Sequence, residues 1–316
     1  MSEKIATRAA YGAALAEFGA DERVVALEAD LGECTNSIVF GRKYPERFFE
    51  IGIAEANMVA MAAGFAACGK IAVAHTFAAF SAGRAYDQIR NSCAYPHLNV
   101  KIVGTNAGLS AAKDGATHEM IEDLALMRVI PGMTVLCPCD ANETREAVRA
   151  MLAYNGPVYL RTGRMGVENV TDKIPGYHFE LGRGCMLRDG TDLTLIATGS
   201  LVQAALTAAE QLAVEGISAR VVDLCTIKPL DRAIIEKAAR DTGAIVTAEE
   251  HNIVGGLGGA VAEALCDGTA VPLERVGVED RFGRSGGAEE LMEAYGLTAE
   301  NIVAHAHRAI TRKTGR

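Results

Sequence analysis

Apolar positions along this chain fall into two arrangements that alternate. Short runs that are apolar almost without a break predict strands: VVALEAD (24–30), FFEIGI (48–53), KIAVAHTF (70–77), NVKIVGT (99–105), MTVLCPCD (133–140) and PVYLRTG (157–163). Helix-like segments separate them at about 54–68, 82–93, 118–128 and 141–153. A strand with no polar alternation has both faces covered, and helical crossovers are what parallel pairing requires. The pattern therefore predicts a parallel sheet with helices on both faces. Local punctuation agrees, with Asp140 or Asn142 placed to cap ETREAVRAMLAY and Pro131-Gly132 placed to stop the helix after MRVI.

The alternation lapses over 164–192, where glycines and charges follow no sustained period, as in a linker with room for a short strand. A second series follows: DLTLIATGS, a helix over 201–215, ISARVVDLCTIKPL, a helix over 231–241, AIVTAEE, a helix opened by GGLGG (255–259), and LERVGVED. The expected fold class is α/β with two doubly wound domains, 1–165 and 190–316, joined by a linker over 166–189. GGLGG does not fit the strand–GxGxxG–helix dinucleotide fingerprint with its distal acid, and reads as close backbone packing or a loop that meets a partner.

Composition narrows the classes. With 316 residues, 49% hydrophobic and 22% charged, the chain has enough apolar content for two cores. A net charge of −9 argues against broad nucleic-acid binding. No apolar run reaches membrane-spanning length, and MSEKIATRAAYG lacks the apolar centre of a secretion signal. The expectation is a soluble, cytoplasmic protein with neither nucleic acid nor membrane as partner. The eight cysteines form no CxxC pair and no zinc-ligand spacing, so they read as buried reduced thiols, and no metal site is expected on this chain.

Chemistry-bearing residues gather at predicted strand ends, where open α/β sheets place their sites. Asp30 ends the first strand, and Glu55 follows the second as the lone charge in IGIAEANMVAMAAGFAACG. His75, Phe77 and Phe80 follow the third, Asn106 the fourth with Asp114 and His118 in its loop, and Arg161 and Arg164 the sixth. Each has an ordinary reading: Glu55 as a helix-dipole partner, the phenylalanines as core, the arginines as surface ion pairs. Their concentration at one edge favours a site.

These segments also carry a resemblance. IGIAEANMVAMAAGFA, HTFAAFSAGRAYDQIRN and GLSAAKDGATHEMIEDLALMR resemble the pyrimidine-binding half of transketolase, and VTAEEHNIVGGLGGAVAEAL (246–265) resembles its C-terminal domain. IATR (5–8), EADL (28–31), GIAEANM (52–58), DGATHEMIED (114–123) and LRTGR (160–164) occur in that family's order, over essentially the whole chain. The resemblance implies thiamine diphosphate as cofactor and transfer of a two-carbon ketol unit from a ketose to an aldose. It implies that Glu55 contacts the pyrimidine ring nitrogen and that Phe80, with Phe77, stacks on the ring. It places Asp30 near sugar hydroxyls, Asp114 and His118 at substrate hydroxyls and the reacting centre, and Arg8 and Arg161 on a sugar phosphate.

Two departures bear on the substrate. Asn106 stands where transketolases commonly have a histidine that helps to bind phosphate, and Lys113 stands where an acidic residue usually precedes DG. They imply a modified sugar phosphate or a sulfonated sugar. The family's GDG segment for Mg²⁺ and diphosphate does not occur; the DG pairs at 114, 189 and 267 follow Lys, Arg and Cys. The expectation is the small subunit of a split transketolase, whose separately encoded partner holds the diphosphate and Mg²⁺, with a homodimer contact inside a two-plus-two heterotetramer. The alternatives are a β-subunit of a 2-oxoacid dehydrogenase, a deoxyxylulose-phosphate-synthase-like enzyme, or a non-catalytic assembly subunit.

Overall fold

Seven strands form the first sheet, in the spatial order Thr226–Lys228, Thr134–Leu136, Val158–Arg161, Val100–Thr105, Ile71–Phe77, Val24–Glu28, Phe48–Glu50. The computed structural model describes residues 4–315. All pairings in this sheet are parallel except that of Thr226–Lys228 with Thr134–Leu136. The two-residue period of a strand divides its side chains between two cores. Val24, Ala26 and Val73 pack with Tyr11, Leu15, Val148 and Met151 from helices Thr7–Phe18 and Ala141–Ala153. Val25, Leu27, Ala72 and Ala74 pack on the other face with Met58, Val59 and Ala62 from helix Glu55–Ala67. Burial on both faces is why these strands read as unbroken apolar runs.

The second sheet has the order Leu273–Val278, Ile245–Asn252, Leu193–Ala197, Ala219–Asp223, Cys185–Arg188, with only the last pairing antiparallel. Helices Leu201–Val214 and Ala299–Thr314 cover one face through Val202, Leu212, Ile302 and Ala306. Residues of its other face, including Ile196, Val222 and Ile245, join the same apolar cluster as Val25 and Ala72, so one core runs from the first sheet into the second. No helix among the described residues is long and apolar enough to cross a membrane.

Several elements differ from the expected pattern. ISARVVDLCTIKPL is two strands in two sheets: Ala219–Asp223 stays in the second, and Thr226–Lys228 crosses to the first. Cys225 marks the crossing, its carbonyl accepting from Cys137 N–H at 2.8 Å. The helix expected over 118–128 begins only at Asp123, where Glu122 at φ -128° is its N-cap, after a loop in which Ala112 stands at φ 63° and Gly115 at φ 79°. The segment over 82–93 is two π-helical turns, Ala79–Arg84 and Ile89–Ala94, around a short α turn. Cys93, Cys137, Cys139 and Cys225 are buried, whereas Cys34, Cys68 and Cys266 are exposed, contrary to the expectation of buried thiols.

Two local readings hold in detail. Asp140 caps its helix by accepting from Glu143 N–H at 2.8 Å. In GGLGG the Glu249 carboxylate accepts from Leu257 and Gly258 N–H at 2.7 and 2.8 Å. A Cβ at Gly256 would lie 2.0 Å from Glu249 Oε2, so glycine there allows the close packing that the capping carboxylate needs.

Candidate active site

The carboxyl edge of the first sheet brings one apolar and one polar group of side chains together. Glu55 opens helix Glu55–Ala67, and the inward-facing Met58, Val59 and Ala62 draw that helix, with its first turn, against the sheet. Glu55 is 1% exposed. Its Oε1 accepts from Arg84 Nη1 at 2.7 Å, while Oε2 is buried with no hydrogen-bond partner among the described residues. A buried acceptor left open costs about 1–3 kcal/mol, so the open oxygen points to a ligand rather than to packing. Among the described residues the Glu55 carboxylate makes no hydrogen bond to its own helix.

Phe77 ends its strand and Phe80 lies in the π turn that follows. Their rings stack with centroids 5.9 Å apart and planes 16° from parallel. His118 meets both edge-on, at 5.2 Å from Phe80 and 6.3 Å from Phe77, and its Nδ1 lies 2.9 Å from Thr117 Oγ1. The Arg84 guanidinium lies 4.5 Å from the Phe80 ring centroid. Glu55, Arg84, Phe80, Phe77 and His118 thus form one contiguous surface.

The polar group is assembled by a small antiparallel pair, Ile5–Ala6 with Gly166–Val167, reinforced by Gly163 N–H donating to Thr7 Oγ1 at 2.8 Å. This pairing sets Arg8 beside Arg164. Arg8 Nη1 donates to Asn106 Oδ1 and to the Cys34 carbonyl, both at 2.9 Å. Arg164 Nη1 donates to Asp114 Oδ2 at 3.1 Å and to the Ala111 carbonyl at 3.2 Å. Partial burial, then the neighbouring Arg164 charge, hold Arg8 below the usual arginine range. Two guanidinium groups this close favour an anion. Asn106 is buried at φ 52°, a conformation that asparagine tolerates at a strand end. Lys113 is exposed in the same loop.

That loop is held from the second domain. Glu250 Oε1 accepts from Ser110 N–H and Oε2 from Ser200 Oγ, each at 2.7 Å. Glu119 follows His118 and is buried, with both carboxylate oxygens lacking hydrogen-bond partners among the described residues. Burial, followed by the nearby Asp114 and Glu250 charges, pushes its pKa up to about 7.

Arg161 is a correction to the expected phosphate site. Its Nε donates to Asp123 Oδ1 and Oδ2 at 3.2 and 2.9 Å, and its Nη2 to the Glu250 carbonyl at 2.7 Å. It is 5% exposed and Asp123 is fully buried, so binding a sugar phosphate there would break a buried ion pair. The half-exposed guanidinium at this edge is that of Arg164. His75 also leaves the edge: it is buried, its Nδ1 lies 2.8 Å from the Leu27 carbonyl, and burial lowers its pKa to about 4. Asp30 is exposed at φ 60°, with its N–H donating to Glu50 Oε1 at 2.7 Å, and no hydrogen bond among the described residues joins it to the other groups.

Arg84, Glu119 and Glu250 were not apparent as candidates. Arg84 had a signal, since it follows Phe80 by four residues, one helical turn. Glu119 had only its place next to His118, and Glu250 had none, because its role depends on the other domain.

Residues 3–169 match the family described as "Transketolase, pyrimidine binding domain", and residues 182–302 match "Transketolase, C-terminal domain". The chain belongs to the transketolase family. It is 46% identical to the 6-deoxy-6-sulfo-D-fructose transketolase subunit SqwH of Clostridium sp. strain MSTE9, over 94% of this chain and 91% of that one. It is 40% identical to a subunit of the apulose-4-phosphate transketolase of Phocaeicola vulgatus, over 89% of this chain and 90% of that one. Among solved structures it resembles "Split gene transketolase, inactive beta4 tetramer", with a TM-score of 0.89 and 49% identity over 98% of this chain and 99% of that one. The chain is therefore similar in length to separate transketolase subunits. Transketolases are thiamine diphosphate enzymes, and the residues here fit the pyrimidine end of that cofactor. A buried carboxylate with one open oxygen lies beside stacked aromatic rings, the two contacts that a flat, hydrogen-bonding ring requires.

Proposed function

We propose that this chain is the pyrimidine-binding subunit of a two-chain transketolase that acts on a modified sugar phosphate or a sulfonated sugar. The observation that carries the reading is Glu55: buried, open at Oε2, and joined through Arg84 to the Phe80, Phe77 and His118 surface. Thiamine diphosphate, when bound, supplies the carbon nucleophile and electron sink for breaking and remaking a bond next to a carbonyl. Glu55 would hold the pyrimidine nitrogen through its buried carboxylate, and Phe80 and Phe77 would flank the ring. His118 and Asp114, beside these rings and at the mouth of the loop, bind the sugar's hydroxyls and carry protons at the reacting carbon. Asp30 contributes to the same hydroxyl contacts from the neighbouring strand end.

Arg8 and Arg164, with Asn106 between the strand end and Arg8, form the anion pocket. An amide at position 106 donates without carrying charge, and Lys113 adds a mobile ammonium at the rim, so the pocket suits a group other than an ordinary terminal phosphate. Supporting this, relatives of similar length are named for a sulfonated ketose and for apulose 4-phosphate. The diphosphate and Mg²⁺ belong to a separately encoded partner subunit, and the assembly is two-plus-two around a homodimer of this chain.

The test is ketol transfer with thiamine diphosphate and Mg²⁺, using this chain alone and then with the protein encoded beside its gene. Activity is expected only in the mixture, with turnover of sulfonated or branched sugars exceeding that of xylulose 5-phosphate. Activity of the chain alone would refute the split assembly. Equal turnover across the sugar panel would refute the substrate reading, and release of carbon dioxide from pyruvate would replace it with 2-oxoacid chemistry.

A further inference from the structure

We propose that Arg84 is a resident stand-in for the pyrimidine ring, filling the space between Glu55 and Phe80 in the empty chain and withdrawing into solvent when the cofactor enters. The proposal rests on the thiamine reading of the site. A guanidinium is flat and delocalised, donates hydrogen bonds in its plane and stacks on aromatic faces. Arg84 makes both contacts here, donating to Glu55 Oε1 at 2.7 Å and lying 4.5 Å from the Phe80 centroid. A pyrimidine ring that pairs with the Glu55 carboxylate and stacks on Phe80 must lie between the same two side chains. Two flat groups cannot share that volume, so one must leave.

The exposures decide which one moves. The Arg84 side chain is 51% exposed, whereas that of Glu55 is 2% exposed. Arg84 can turn outward without desolvating anything, while the Glu55 carboxylate is fixed at the start of its helix. The pair also explains how the empty chain tolerates Glu55. With Oε2 open, Arg84 provides the one side-chain hydrogen bond to this carboxylate among the described residues. Without it, the empty chain would hold a buried, wholly unpartnered carboxylate, which is strongly unfavourable. Arg84 thus satisfies Glu55 before assembly and competes with the cofactor afterwards, setting the affinity at which the enzyme loads.

The experiment is titration of thiamine diphosphate into the complex of this chain with its diphosphate-binding partner, at fixed Mg²⁺, followed by near-ultraviolet circular dichroism. In Arg84→Ala the competing contacts are gone, and the Kd is expected to fall about tenfold. Arg84→Lys keeps the charge but loses the plane, and is expected to fall between the two. In a Glu55→Gln background the gain from Arg84→Ala is expected to shrink to about threefold or less, because the two residues act as a pair. An unchanged or raised Kd in Arg84→Ala, while the wild type binds normally, would overturn the proposal and leave the thiamine reading intact. Failure of thiamine diphosphate to bind any of the complexes would overturn both.

Discussion

Replacing Arg161 with methionine separates two accounts of the carboxyl edge. If Arg161 held a sugar phosphate, the variant would fold normally and bind its donor poorly. The structure gives it a different task. Its guanidinium donates twice to Asp123, once to the Glu250 carbonyl, and more weakly to the Met120 carbonyl at 3.4 Å. Methionine fills similar volume but leaves the buried Asp123 carboxyl without its ion-pair partner, with the Tyr159 hydroxyl at 2.8 Å as its remaining side-chain donor. Stranding one member of a buried pair costs about 3–5 kcal/mol. That is a large share of a folded chain's usual margin of about 5–15 kcal/mol. The midpoint of urea unfolding of the isolated chain, followed by far-ultraviolet circular dichroism, should fall accordingly. The double variant Arg161→Met with Asp123→Leu should recover most of the loss, since no charge is then stranded. Arg164→Met, at the half-exposed position, should change stability by less than about 1 kcal/mol and weaken donor binding in the complex. Wild-type stability in Arg161→Met together with a raised donor KM would refute this reasoning and return Arg161 to the substrate.

Two further outcomes test how the domains are joined. Cys139, Glu143 and Asp223 bring ligand atoms within 4.8 Å of one another across the domain boundary, and both Asp223 oxygens lack hydrogen-bond partners among the described residues. Burial first, then Glu143, raises Asp223 well above the carboxylate range, and burial raises Glu143 too, so the pair retains a proton in the folded chain. A raised folded pKa gives stability that is complete below the unfolded carboxylate range and is lost as pH rises through the folded value. Asp223→Asn should therefore gain on the wild type in urea midpoint as pH rises above the unfolded carboxylate range, and parallel curves, or one bound divalent ion per chain by elemental analysis, would contradict a shared proton. Gly108 has φ 78° and a Cβ there would lie 2.3 Å from Glu250 Oε1, so Gly108→Ala should cost roughly 2–3 kcal/mol in the same unfolding assay and lower donor binding, whereas wild-type behaviour would show that the loop does not depend on Glu250.

Much of this molecule was legible because its information is local. Unbroken apolar strands alternating with helical segments specify doubly buried parallel sheets, since a strand's burial is written in its own side chains. The Asp140 cap and the tight packing at GGLGG are likewise set within a few residues. Glu55 stood out because a lone carboxylate in an apolar run requires a partner, and the family motifs placed Phe77, Phe80, Asp114 and His118 near it. What the sequence by itself could not settle is which of several identical groups face outward. Arg161 and Arg164 lie three residues apart in one motif, yet one is fastened to Asp123 and the Glu250 carbonyl while the other lies at the edge beside Asp114. That choice depends on partners far away in the chain, as do the crossing of Thr226–Lys228 into the first sheet and the hold of Glu250 on the Ser110 loop. Burial in a strand is a property of its own residues; the pairing of a charge depends on what the fold brings beside it.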